Sequence, residues 1–311
     1  MPLLPFQTVY SSVTLRAYPE RSQVRFGAQR LEISSSSLSF RIGLVEIDAL
    51  SPHEEVIQSV VESLAKEMSA EGLVRDPLMV DQREYVILDG MHRFGALKHL
   101  KCRFVPCCLV DYDSSKIQVG SWFRLFAVKE PESTAEQLLG DNGIDGSKEE
   151  DELANITYNQ RAIILTDRGS RFVLPESVEL IDRARMAVRL EKAMLKAGHS
   201  VDYQSEAVAI ERLKAGGANL VISLPIFSKQ QIREFGLQKR LLPHKATRHV
   251  IPSRPLRADI PLELLRDEAG SRFENEKKLG EMLADRHVER KPPGSIVDGR
   301  RYQEELLLFS H

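Results

Sequence analysis

Cysteine is scarce in this chain of 311 residues: Cys102, Cys107 and Cys108 are the only three, an odd number crowded into one short segment. A disulfide framework is therefore excluded, and a reducing compartment is the expected setting. Tryptophan is scarcer still, with Trp122 alone. No apolar run approaches the roughly 18 residues that a membrane-spanning helix needs. The opening Met-Pro-Leu-Leu-Pro-Phe lacks the charged and apolar regions of a signal peptide, so a cytoplasmic protein with no membrane partner is expected. A surplus of either charge is also missing. Lys and Arg number 43 against 45 Asp and Glu, a formal net charge of −2, which makes nucleic acid an unlikely main partner because phosphate neutralisation needs excess cations. What the chain does have is an ordinary globular balance, 42% hydrophobic and 28% charged, with length for two modest domains.

Period-two alternation in Leu38-Ser39-Phe40-Arg41-Ile42 predicts a strand. Ser51-Pro52-His53-Glu54 has the form of a helix start, with Ser51 as N-cap, Pro52 at the first helical position and Glu54 closing a capping box. The helix would then present Val56, Val60, Leu64 and Met68 on one face and stop at Gly72. Short strands at Pro77–Val80 and Tyr85–Leu88, a helix at Met91–Leu100 and an apolar, buried strand at Phe104–Val110 follow. Between Glu130 and Glu152 nine acids face one lysine among scattered glycines, which predicts a linker or loop, with room for one helical turn at Ala135–Leu139. Beyond it the patterns predict a hairpin about Asp167-Arg168-Gly169 and helices over Glu176–Ala197, Ala207–Lys214 and Ser228–Phe235. The expected division is an extension over 1–30, a first domain over 31–130, an acidic linker over 131–155 and a second domain over 156–311. Mixed short strands and helices in both halves make the fold class α+β or α/β; the expectation taken forward is α+β, with an α/β second domain and a cleft between the two.

One segment concentrates chemistry. In Val86-Ile87-Leu88-Asp89-Gly90-Met91-His92-Arg93 an apolar strand stops at an acid, turns on a glycine and opens a helix whose first turn carries His and Arg. Backbone N–H groups at such a helix start form an anion site, and His92 and Arg93 add donors and positive charge. Asp89 is placed to help hold a magnesium ion or to orient a nucleophile. A plain strand–helix corner, with Asp89 as cap and Arg93 solvated, explains the same residues.

Asp-Gly-x-His-Arg followed by an apolar helix and strand resembles the superfamily of partition-protein ParB and sulfiredoxin, whose shared pocket binds nucleotide phosphates. Met91 stands where sulfiredoxins carry their catalytic cysteine, and His92 stands where the partition box has an arginine. The chain is more similar to a third branch, the free L-serine kinases that use ADP or ATP. The motifs that carry this resemblance are His53-Glu54, Asp89-Gly90-Met91-His92-Arg93, Ser121-Trp122, Lys245-Ala246-Thr247-Arg248-His249 and Ile260-Pro261-Leu262-Glu263-Leu264-Leu265, all in the family's order. The resemblance implies transfer of a phosphoryl group from ADP or ATP, with magnesium, to the hydroxyl of free L-serine. The implied product is O-phospho-L-serine, serving cysteine biosynthesis or a specialised metabolite. It implies Glu54 as general base with Asp89 in the catalytic set, and Gly90, Met91, His92 and Arg93 as the phosphate loop. His53, Trp122, Lys245, Thr247, Arg248 and His249 would hold the amino acid. A nucleotide-gated DNA-binding or regulatory protein is the alternative within the superfamily.

The residues can also be read without the resemblance. Glu54 in a helix's first turn would be kept ionised by the dipole, as a base must be, although a capping box alone accounts for it. Glu55 competes for the role but lies about 100° further around the helix. Trp122 is either a wall of the pocket or core beside Phe123, Leu125 and Phe126. Lys245, Thr247 and His249 alternate, so an extended backbone would put them on one face, suited to a carboxylate, with Arg248 opposite. A basic surface loop is the bland reading of the same stretch. Cys107 and Cys108, adjacent in a strand, point to opposite faces and cannot supply one tetrahedral zinc, so they read as small buried hydrophobes.

Overall fold

The computed structural model describes residues 16–17, 31–34, 38–150, 161–266 and 271–310. The extension over 1–30 lies almost wholly outside them. The chain divides into two compact units. One comprises Met1–Leu50, Val61–Lys116 and Ile251–His311; the other comprises Ser51–Val60 and Ile117–Val250. The units are interleaved in sequence, so residues after 250 build the first unit and not the second.

The first unit is organised on a six-stranded mixed sheet in the order Arg16–Ala17, Leu31–Ser34, Ser39–Glu46, Phe104–Val110, Leu78–Asp81, Ile87–Asp89. Phe104–Val110 is buried along its whole length. It pairs antiparallel with Ser39–Glu46, from Phe40 opposite Val110 to Glu46 opposite Phe104, and parallel with Leu78–Asp81. A strand enclosed on both faces has no solvent side to carry polar residues, hence its unbroken apolar text. The alternation at 38–42 holds, with Leu38, Phe40 and Ile42 buried and Ser39 exposed. Each fully buried side chain of that size contributes about 1.5–3 kcal/mol. All three cysteines are free and buried, and desolvation pushes the Cys107 and Cys108 thiols well up. The helix Met91–His99 approaches the helix Gln58–Glu71 at Gly95, where a Cβ would meet Val61 Cγ2 at 2.9 Å, so only glycine lets the two pack this closely. Helix Arg272–Ala284 starts at a capping box of Ser271 and Glu274, and Arg272 donates to the Leu44 carbonyl at 2.7 Å. A three-stranded sheet of Ser253–Leu256, Glu305–Ser310 and His287–Lys291 completes the unit with the ladder Leu73–Val74 to Ile260–Pro261.

The second unit is built on a sheet that is antiparallel throughout, ordered Ser147–Glu150, Ser170–Val173, Ile163–Thr166, Leu220–Ser223, Phe123–Phe126, Asp202–Gln204. The chain as a whole is α+β as expected, and so is this unit: every strand pair is antiparallel, with one hairpin over 163–173, and none has the parallel pairing of an α/β domain. Its core joins Phe123, Leu125, Ile163, Leu165 and Val221 of the sheet to Ala209 and Leu213 of the helix Glu206–Lys214. Much of the stretch predicted as a linker over 131–155 is regular structure, the helix Pro131–Asp141 and the strand Ser147–Glu150. Buried Ala135, Leu138 and Leu139 give the helix a core face that outweighs the acidic composition. The remainder of that stretch, 151–155, lies outside the described residues. Helix Lys229–Leu237 begins at Ser228, whose side chain accepts from the Gln231 amide, as predicted. A two-stranded ladder pairs Arg248–Val250 with Gln118–Gly120.

The helix predicted from Pro52 begins instead at Gln58. Residues 53–55 pair with Leu242: its amide donates to the His53 carbonyl, and the Glu55 amide donates to its carbonyl, both at 2.8 Å. Val56 and Val60 are consequently exposed, and the buried face is Val61, Ala65 and Met68.

Candidate active site

In the first unit, strand Ile87–Asp89 delivers Asp89 to the start of helix Met91–His99. Gly90 turns the chain at φ 103°, a left-handed conformation, and a Cβ there would lie 2.8 Å from Leu78 Cγ. Both the backbone and the space demand glycine. Asp89 Oδ2 accepts from Arg93 Nη2 at 2.9 Å and from Arg254 Nη1 at 2.7 Å. Arg93 is braced by the Asp76 and Pro77 carbonyls, and buried Arg254 by Glu304 at 2.7 Å. Burial works to raise the Asp89 pKa, but the guanidiniums of Arg254 and Arg93 outweigh it and hold the carboxyl well below its usual range. Asp89 is thus favoured as the anion. The Met91 side chain is buried. The helix's first amides, with Arg93 beside them, can receive a phosphate.

Among the described residues no three His, Cys, Asp or Glu side chains gather around a common point. Magnesium carried in on nucleotide phosphates requires as few as one carboxylate. Asp89 is the carboxylate at the start of the helix Met91–His99.

In the second unit, the pairing with Leu242 sets the partly buried Glu54 into a cradle of neutral donors. Oε1 accepts from the Lys245 amide at 2.7 Å; Oε2 accepts from the Thr247 amide at 3.0 Å and the Thr247 hydroxyl at 2.8 Å. Thr247 Oγ1 lies 2.9 Å from His53 Nε2. With the hydroxyl proton directed at Glu54, His53 is the donor to Thr247, and the three form a chain. Desolvation raises the Glu54 pKa above its ordinary 4.5, and the three donors together with the Lys245 charge do not offset it. Trp122 is partly exposed, with Lys245 Nζ 4.4 Å and Arg248 Cζ 5.5 Å from its ring centre. Its ring is thus only partly buried and carries two cations, unlike the buried Phe123, Leu125 and Phe126.

The structure therefore brings His53, Glu54, Trp122, Lys245, Thr247, Arg248 and His249 together in one unit, and Asp89, Gly90, Met91, His92 and Arg93 in the other. Two details differ from the sequence expectation. No capping box forms at Ser51, and Glu54 is in no helix, so hydrogen bonds and burial govern its charge and not a helix dipole. Lys245 is not extended but left-handed at φ 61°, so its side chain joins Arg248 at Trp122, while His249 packs edge-on to His53 with ring centres 5.5 Å apart. Glu55 is exposed, which removes it as competitor to Glu54. Arg254 and Glu304 were not legible as site residues, and neither were Arg124, Glu191 and Tyr203. The one available signal was Arg124 itself, a charge inside the apolar run Phe123–Phe126, which demands a buried partner.

Residues 28–120 match the ParB N-terminal domain. The chain is 22% identical over 234 residues to an ATP-dependent L-serine kinase of Staphylothermus marinus, covering 72% of this chain and 90% of the relative. It is 23% identical over 226 residues to the ADP-dependent L-serine kinase of Thermococcus kodakarensis, covering 71% and 91%. The solved structure of a free serine kinase in complex with AMP superposes with a TM-score of 0.61 at 21% identity, over 72% of this chain and 93% of that one, and establishes the shared fold. The resemblance carried by the five motifs therefore extends along most of the chain.

Proposed function

We propose that this protein is a small-molecule kinase that transfers the terminal phosphoryl group of ADP or ATP to the hydroxyl of free L-serine. The observation that carries the reading is the state of Glu54: a carboxylate cradled by neutral donors, with its pKa raised, beside a cation-bearing tryptophan wall. Proton acceptance needs a carboxylate that is not locked as an anion by cations, and Glu54 meets that condition. Lys245 and Arg248 supply positive charge for the carboxylate of the amino acid, and Trp122 supplies an apolar surface that excludes water from the reacting phosphoryl group.

In the reaction the serine hydroxyl oxygen forms a bond to the terminal phosphorus, and the bond from phosphorus to the bridging oxygen breaks. The hydroxyl proton passes to Glu54, and the electron pair of the broken bond leaves with AMP or ADP. Gly90, Met91 and His92 offer backbone donors to the phosphates and Arg93 offers charge, with magnesium arriving as part of the nucleotide substrate and Asp89 as its nearest carboxylate. Relatives named as L-serine kinases using ADP and ATP support this reading.

Phosphorus NMR on the protein with magnesium and L-serine, once with ADP and once with ATP, tests it. Growth of an O-phosphoserine signal, absent for Glu54→Gln, is the expected result and names the donor. Hydrolysis without phosphoserine would point to a different acceptor. No turnover together with salt-sensitive binding to duplex DNA would replace the kinase by the regulatory reading.

A further inference from the structure

Arg124 is fully buried in the strand Phe123–Phe126, and its guanidinium makes four hydrogen bonds. Nε donates to Glu191 Oε2 at 2.7 Å, Nη1 to the Trp122 carbonyl at 2.6 Å and the Lys245 carbonyl at 3.2 Å, and Nη2 to the His244 carbonyl at 3.1 Å. Glu191 comes from the helix Leu180–Lys196, and its other oxygen accepts from the Tyr203 hydroxyl. The Tyr203 ring lies 5.5 Å from both Arg124 Cζ and Lys245 Nζ and meets His244 edge-on. Three elements of the sheet and helix layer thus converge on one turn, His244–Lys245, whose second residue is held at positive φ. A non-glycine residue in that conformation persists only where its surroundings over-determine it. The same turn aims the Lys245 amide at Glu54, and two residues on the Thr247 amide does likewise.

We infer that Arg124, Glu191 and Tyr203 form a positioning cage for the amino-acid site, fixing the His244–Lys245 turn so that the amide donors of Lys245 and Thr247 stay aimed at Glu54. The three do not touch Glu54. They act through the turn, and only the planar guanidinium fork can serve three carbonyls and a carboxylate at once. The consequence for turnover rests on the kinase reading, whereas the positioning itself does not. The groups facing Glu54 are Lys245, the Thr247 hydroxyl with His53 behind it, and His249 against His53.

The test uses the full chain without nucleotide or amino acid, as wild type, Tyr203→Phe, Glu191→Gln and Arg124→Lys. Two signals are read: hydrogen exchange at the Lys245 and Thr247 amides, and the titration of the Glu54 carboxyl carbon in protein labelled at glutamate, assigned by its loss in Glu54→Gln. Protection at those two amides should fall at least tenfold while amides of the central strand Leu220–Ser223 keep theirs. The Glu54 midpoint should move upward, because these variants preserve side-chain volume and weaken only the donors that favour the charged form. Arg124→Lys keeps the charge without the fork and should behave like Glu191→Gln. Where Arg124→Lys does not fold, Tyr203→Phe, which loses one hydroxyl, carries the test. Unchanged protection and midpoint in Tyr203→Phe and Glu191→Gln would overturn the inference, as would protection lost equally across the unit. Absence of phosphoserine in wild type with both signals as expected would remove the kinase reading and leave the cage standing.

Discussion

Asp89 and Glu54 are both acids in candidate site segments, one in each unit, yet their surroundings push them in opposite directions. Asp89 shares one oxygen between two guanidiniums, and its pKa falls. Glu54 receives two amides and a hydroxyl, and burial makes its pKa rise. Full positive charges turn a carboxylate into a fixed counter-ion, whereas neutral dipoles in a dry site leave it able to accept a proton. The contrast separates what the residue types alone cannot: Asp89 is bound to cations, and Glu54 keeps the capacity to take up a proton that the proposed base requires.

The strongest way to break this contrast is to neutralise each acid in turn. Glu54→Gln should lower turnover by about 10²–10⁴ with nucleotide affinity, measured by calorimetry, unchanged. A loss below tenfold would mean that the proton goes elsewhere. Next in size is the counter-ion side. Arg254→Leu removes a buried guanidinium, leaves the largely buried Glu304 without it and should cost about 3 kcal/mol in urea unfolding. Asp89→Asn should cost less, about 1 kcal/mol, because its side chain is 41% exposed and solvent screens the loss. Equal costs would contradict the buried Arg254–Glu304 bracing.

Acidity sharpens the comparison further. Activity should fall as pH drops through a Glu54 midpoint above 4.5, and Thr247→Val, which removes one donor, should shift that limb upward and cost about tenfold in kcat/KM. The two acids also contribute oppositely to stability. A depressed Asp89 stabilises the fold above its unfolded pKa, near 3.8, and loses that contribution as pH falls. A raised Glu54 stabilises it at low pH and loses that contribution as pH rises above 4.5 through the folded midpoint. The smallest effect belongs to exposed Glu55: Glu55→Gln should stay within about twofold of wild type, as surface substitutions generally do.

Local chemistry was legible in the sequence where it depends on neighbours along the chain. The turn at Gly90, the buried strand Phe104–Val110 and the cap at Ser228 follow from short patterns. Glu54 was recognisable as a candidate, but its environment was not, because its donors lie some 190 residues away at Lys245 and Thr247. A capping-box text at Ser51 describes the same letters equally well, and tertiary pairing with Leu242 prevails over it. Arg254 and Glu304 escaped for the same reason. An ion pair between distant segments leaves no periodic signature, only a charged residue in apolar company.

The interleaving of the two units has a consequence for synthesis on the ribosome. Val74 pairs with Ile260, and Ser253–Leu256 pairs with Glu305–Ser310, so the first unit lacks these pieces until residues 251–310 have emerged. The segment 117–250 is translated in that interval and carries nearly all of the second unit. If it has already folded, the ends that the first unit must join are linked by a compact body and not by a long random loop, and the entropy of closure is correspondingly smaller. The unit begun first is thus finished last: its six-stranded sheet lies within residues 16–110, but the helix Arg272–Ala284 and the three-stranded sheet can join it only after the inserted segment has been made.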